Sequence, residues 1–246
     1  MINATLEKLS DMKLHAMAEK AGELNSSPTA RGLGAIEYLS FCVDAEYDKR
    51  KQSRLRRLLK NAKIKLTAAT VEEIDFKHPR NLNKSEHADI ISGTALEHKT
   101  NILISGPTGV GKSYIACAIA NLACRKNLPT QYFRISRFLE HMTAQKALGH
   151  YLKVIEKIGK LQLLVLDDLG PDMMTTEQRN IFLEVIEERD LVWPTSVTSQ
   201  LPFEQWYDVF GDQTVADAIC DRLFHNARKI QLSGDSMRKS ARRSAP

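Results

Sequence analysis

The 246 residues are 43% hydrophobic and 26% charged, a composition that supplies a buried core and excludes a disordered or fibrous chain. The 35 Lys and Arg outnumber the 30 Asp and Glu, giving a net charge of +5 and a pI near 9.0, which leans toward a polyanionic partner. Apolar stretches are too short for a bilayer, no secretory signal opens the chain, and Cys42, Cys117, Cys124 and Cys220 form no C-x-x-C pair, so the expected place is the reduced cytoplasm, with no membrane contact.

Residues 5–24, TLEKLSDMKLHAMAEKAGEL, predict one helix with Thr5 as its cap and Leu6, Leu9 and Met17 among its apolar positions. The polar NSSPTARGLG at 25–34 is a connection. A longer helix follows from about Ala35 to Lys65, and its second half concentrates charge. Between 49 and 65 stand nine cations and no acid: Lys49, Arg50, Lys51, Arg54, Arg56, Arg57, Lys60, Lys63 and Lys65. Leu55, Leu58, Leu59 and Ile64 leave only a narrow apolar stripe. A merely solvated helix face usually alternates in sign, and a membrane-binding face carries Trp or Phe. Neither feature is present. The run is expected to bind nucleic acid, and without an aromatic for stacking it favours the backbone of double-stranded DNA.

Residues 67–84, ending in VEEIDFKHPRNLNK, read as a linker to a helix near Ser85. The expected domains are an all-α unit at 1–70 and a larger one at 71–246. In the second, apolar runs predict strands at 101–105, 130–135, 161–167, 195–199 and 228–232. Helices are predicted at 112–126, 136–147, 150–159, 175–190 and 214–226. That alternation is an α/β fold with a parallel five-stranded sheet, whose ligands lie at the carboxyl ends of the strands.

At the first such end stands GPTGVGKS, Gly106, Pro107, Thr108, Gly109, Val110, Gly111, Lys112 and Ser113. It fits G-x-x-x-x-G-K-[ST], the phosphate-binding loop, between an apolar strand and a helix as the motif requires. The glycines allow a sharp turn whose N–H groups point inward at phosphate oxygens. Lys112 brings charge to the β- and γ-phosphates, the Ser113 hydroxyl suits Mg²⁺, and the helix presents its positive end to the same anion. The chain is therefore read as binding a nucleoside triphosphate with Mg²⁺, and the family resemblance given below implies ATP.

LLVLDDLG at 163–170 is an apolar strand ending in two carboxylates. Asp167 is expected to hold Mg²⁺, and Asp168 to orient or activate the attacking water. A strand and helix intervene between loop and acids, which suits an additional-strand ATPase better than a small-molecule kinase. TSQ at 198–200 offers Ser199 and Gln200 near the γ-phosphate. ADAICDRLFHNA at 216–227 carries Arg222, which either pairs with a nearby acid or reaches a neighbouring subunit's nucleotide.

GPTGVGKS, LLVLDDLG, TSQLPFEQW and, most specifically, GDQTVADAICDRLFHNARKIQLSGDSMRK at 211–239 resemble the IstB-type ATP-binding helper proteins of insertion sequences. IDFKHPRNL at 74–82 and the opening LEKLSDMKLHAMAE carry the likeness across almost the whole chain. The resemblance implies an AAA+ P-loop ATPase related to replication initiators and helicase loaders, forming a homo-oligomer on target DNA and assisting a transposase. A helicase loader is the alternative. The resemblance also implies that Lys112, Ser113 and Asp167 bind phosphate and Mg²⁺, that Asp168 is catalytic, that Arg222 is an arginine finger acting in trans, and that Arg238 is a second sensor. The sequence departs from the wider AAA+ pattern in three ways. Asp168 stands where Glu is usual, suggesting slow turnover, Gln200 stands where Asn is frequent, and too few residues follow the last strand for a full helical lid.

Overall fold

The structure is a computed structural model and describes residues 2–170 and 172–237. The chain divides into two compact units, Met1–Arg57 and Leu58–Pro246.

The first unit holds α1 (Ile2–Asp11), α2 (His15–Ser26), a 3-10 turn at Pro28–Gly32, and most of α3 (Ala35–Ala62). The single helix expected over 5–24 is two helices. Lys13 adopts φ 60°, and Leu14 N donates to Leu9 O at 2.8 Å, a left-handed helix stop in which lysine takes the place of the usual glycine. The new amino end of α2 is capped from a distance. Glu46, on α3, accepts from Ala16 N at 3.0 Å and Met17 N at 3.2 Å. Arg50 Nε donates to the same carboxylate at 2.7 Å, and that bond chiefly holds Glu46 below its ordinary pKa. Ala16, Ala18, Ala21 and Cys42 are the buried apolar contacts. Small side chains let the helices approach closely, but they bury little area each.

In the second unit, Lys63 takes φ 51° and ends α3 at Ala62, earlier than expected. What read as a linker is a packed strap. It has no regular structure over 65–84, yet Ala69, Val71, Ile74 and Leu82 are buried, and Arg125 of the helix after the phosphate loop pairs with Glu72 at 2.9 Å. The helix expected near Ser85 is two short pieces, α4 (Ala88–Ser92) and α5 (Thr94–Glu97), split where Gly93 turns left-handed at φ 81°.

The sheet follows: β1 (Asn101–Ser105), β2 (Thr130–Arg134), β3 (Leu163–Leu169), β4 (Thr195–Ser199) and β5 (Ala227–Gln231). All pairings are parallel, in the order β2-β3-β4-β1-β5. Helix α6 (Lys112–Arg125) is buried from Ile115 to Cys124, which its alanine and cysteine content permits on more than one side. Helices α7 (Ile135–Ala147), α8 (Tyr151–Gly159), α9 (Thr176–Arg189), α10 (Trp206–Phe210) and α11 (Gln213–His225) share one core with Leu103, Leu164, Leu166 and Val197 of the sheet. Strand alternation turns the neighbouring side chains to the opposite face. Strands β3, β4 and β1 lie in the middle and are almost wholly buried, as continuous apolar runs predict for a covered parallel sheet.

One cation sits inside this core. Arg189, at the end of α9, is 1% exposed and donates to Ile158 O, Leu161 O and Pro194 O at 2.7–2.9 Å and to Thr195 Oγ1 at 3.0 Å. Burial pushes its pKa down to about 9.

Candidate active site

The phosphate loop joins β1 to α6. Gly106, Gly109 and Gly111 have φ of 148°, 92° and 100°, a region closed to most side chains. Space is lacking as well: a Cβ on Gly106 would lie 2.5 Å from Leu232 O, and one on Gly109 would strike Ser236. The segment after β5 thus runs along the back of the loop, with Leu232 N donating to Ser105 O at 2.8 Å and Met237 N to Gly109 O at 3.1 Å. Lys112 Nζ donates to Gly106 O at 2.6 Å and Pro107 O at 2.8 Å. The loop borders a cleft of about 890 Å³ also lined by Ser113, Asp167, Asp168, Thr198, Gln200 and Arg134.

The two carboxylates reach that cleft by an irregularity. Side chains of successive strand residues point to opposite faces, which would separate Asp167 from Asp168. The β3–β4 register shifts between Leu166 and Leu169, and Asp168 takes φ 71°. Bulges re-aim side chains in this way, and aspartate tolerates the left-handed region better than most residues. Asp167 is 2% exposed and accepts three hydroxyls. Ser113 Oγ lies 2.9 and 3.0 Å from its two oxygens, Thr198 Oγ1 donates at 2.5 Å, and Tyr132 OH donates as well. Burial first, then the hydrogen bond to Asp167, pushes the Tyr132 pKa well up, so this hydroxyl stays a donor. Thr198 Oγ1 also accepts from Asp168 N at 3.0 Å and so fixes both acids. Asp168 itself pairs with Arg134, whose Nε lies 2.9 Å from Oδ2.

Ser113 Oγ and the Asp167 carboxylate are hard oxygen donors within 3.0 Å of each other, a set that fits Mg²⁺, which takes one or two protein oxygens and completes its shell with water and phosphate. Among the described residues no group of three His, Cys, Asp or Glu could hold a metal alone.

The remaining expected residues divide. Gln200 lines the cleft and accepts from Thr108 Oγ1 at 3.3 Å. Ser199 does not: it is buried, and its Oγ donates to Leu169 O at 2.7 Å. Arg222 lies on α11 outside the cleft lining, bonded to Ala218 O at 2.8 Å and to Glu187 of α9 at 2.9 Å. Arg238 lies outside the described residues. All nine cations from Lys49 to Lys65 are exposed, but Arg50 is tied to Glu46 and, at 3.3 Å, to Lys13 O.

Among the site residues that the sequence does not single out are Tyr132, which bonds Asp167, and Arg134, Thr198 and Arg80 of the cleft lining. The first three sit on β2 and β4 beside the acids, with Arg134 in register with Asp167. Only the strand order reveals that neighbourhood. Arg80 is one cation in an irregular segment, and the likeness of IDFKHPRNL at 74–82 gives it no role.

A parallel sheet ordered β2-β3-β4-β1-β5, with a phosphate loop after β1 and paired acids at the end of β3, is the fold of the AAA+ P-loop ATPases, in which an additional strand separates loop from acids. AMPPCP-bound DnaA from Aquifex aeolicus has this fold: TM-score 0.56 at 18% identity, covering 69% of this chain and 52% of that one. The family is narrower. The model of the IstB-like ATP binding proteins matches residues 7–245, and the chain belongs to that family. It is 36% identical to the insertion sequence ATP-binding protein y4pL of Sinorhizobium fredii (strain NBRC 101917 / NGR234), over 99% of both chains. An insertion sequence ATP-binding protein of Pseudomonas fluorescens is 35% identical, over 82% of this chain and 87% of its own. Among the described residues no helix is long and apolar enough to cross a membrane.

Proposed function

We propose that this ATPase assembles on duplex target DNA in its ATP-bound form and assists the transposase of an insertion sequence. The observation that carries the ATP part is the cleft, where the phosphate loop, Ser113, Asp167, Asp168 and Gln200 converge. The insertion-sequence names of the relatives support the transposition context. For DNA, the support is the exposed cation run from Lys49 to Lys65, free of acids.

In this reading the loop N–H groups and the amino end of α6 cradle the phosphates, and Lys112 leaves its carbonyl partners for the β- and γ-phosphates. Ser113 and Asp167 hold Mg²⁺, which when bound neutralises charge on the phosphate oxygens. Asp168 orients the water that attacks the γ-phosphoryl group, and Gln200 faces the same group from the end of β4. Arg222 acts on the nucleotide of a neighbouring subunit. Its place outside the lining of its own cleft supports action in trans, and its bond to Glu187 must then open on assembly. Hydrolysis dissolves or remodels the complex.

Sizing the protein on duplex DNA with and without ATP tests the reading. The parent should form a large ATP-dependent complex and Lys112→Ala should not. Equal size in every condition would refute it, and duplex binding that requires a helicase would favour a helicase loader.

A further inference from the structure

A buried cation of the cleft lining lies against the phosphate loop. Arg80, in the strap, is 2% exposed. Its Nη1 donates to Val110 O, a carbonyl of the loop itself, at 2.7 Å, and its Nη2 to Asp75 O at 2.7 Å. A Cβ on Gly111 would fall on that Nη1, so the guanidinium touches the loop where it turns into α6. Arg80 O accepts from Ser233 N at 3.0 Å, and Nη1 also meets Met237 Sδ at 3.0 Å. Strap, loop and the segment after β5 therefore meet at one side chain.

All these acceptors are neutral, and Arg80 Nε is buried with no partner among the described residues. Asp75, an acid whose charge acts on it, spends Oδ1 on Lys77 N and His78 N. A buried cation without a bonded anion is costly, while a di- or triphosphate held by the loop brings the opposite charge into the same cleft. We propose that Arg80 is a positioning residue for the nucleotide: it fixes the phosphate loop through Val110 and lends buried positive charge to the phosphates in the cleft. The inference rests on ATP binding in this cleft.

The full chain, with Arg80→Met and Arg80→Lys, is titrated with MgADP and MgATP, and hydrolysis is followed over a range of ATP concentrations. Arg80→Met should weaken both nucleotides roughly ten- to a hundredfold, the scale of a charge-assisted bond. Arg80→Lys should lie between, because an ammonium keeps the charge but lacks the planar fork that spans two carbonyls. The change should appear in KM with kcat nearly preserved, since Asp167 and Asp168 are untouched. A generally loosened fold would lower kcat as well. Parental affinity in both variants, or a fall in kcat at constant KM, overturns the inference. Should the variants fail to fold, hydrogen exchange on the parent decides: ATP must slow residues 75–80 together with 109–113, and slowing of the loop alone overturns it. A parent that binds no ATP would sink the reading beneath it too, whereas a parent that binds while the variants bind equally sinks this inference alone.

Discussion

Replacing Arg189 tests the packing of the ATPase unit without reference to its activity. Arg189→Met removes the donor to Ile158 O, Leu161 O, Pro194 O and Thr195 Oγ1. A buried acceptor left without a partner costs about 1–3 kcal/mol, but four full penalties do not apply. Ile158 O still accepts from Leu161 N at 3.1 Å, and Pro194 O from Leu164 N at 3.4 Å. Removing the charge also removes the burial cost that lowers its pKa to about 9. The expected net loss is about 3 kcal/mol, or roughly 10 °C in melting temperature for a unit of this size. Arg189→Lys should do no better although it conserves the charge, because it keeps the burial cost and cannot span four acceptors. Urea unfolding followed by tryptophan fluorescence is a suitable assay, since Trp206 lies in the same core and Trp193 N bonds to Arg189 O at 3.1 Å. A Met variant within about 0.5 kcal/mol of the parent, the range of an ordinary surface change, or a Lys variant as stable as the parent, would refute the reasoning.

Asp168→Asn preserves a side chain suited to the left-handed backbone and should leave ATP affinity intact while slowing hydrolysis; parental turnover would remove Asp168 from the chemistry. Arg222→Ala should lower hydrolysis by roughly 10³–10⁵ with ATP binding retained. Mixed with Lys112→Ala it should recover part of the rate, whereas co-assembly on DNA without recovery would argue that Arg222 only holds α11 through Glu187. If about six of the nine cations meet phosphates, log affinity for duplex DNA should fall against log salt with a slope of roughly −5 per protomer. Reversing Arg54, Arg56 and Arg57 to Glu should weaken all DNA sequences alike, and binding indifferent to salt would rule the run out.

The parts legible in the sequence are those written in consecutive residues. The phosphate loop is eight residues of obligatory geometry, and each central strand is an apolar run of the right length. Helix ends were harder. Two of them, at Lys13 and Lys63, use a left-handed lysine where the chain gives no glycine to mark the stop. The strap reads as a linker in the sequence because Ala69, Val71, Ile74 and Leu82 keep no helical or strand period, although each is buried. Tyr132, Arg134 and Thr198 become site residues only once β2, β3 and β4 are aligned, and that order depends on contacts far apart in sequence. Asp167 and Asp168 were legible as a pair, but their shared orientation depends on a register shift that no residue pattern announces.

That register shift has a consequence for the choice of acid. At φ 71° the backbone at 168 favours short polar side chains, Asn and Asp above all. Glutamate, one methylene longer, would sit there at a conformational cost. With Asp168 in its proposed role, the bend that brings this carboxylate into the cleft would therefore also shorten its reach toward the attacking water. Under the proposed function, turnover sets how long an assembly persists on DNA, so a single misaligned strand pairing would act as the protein's clock.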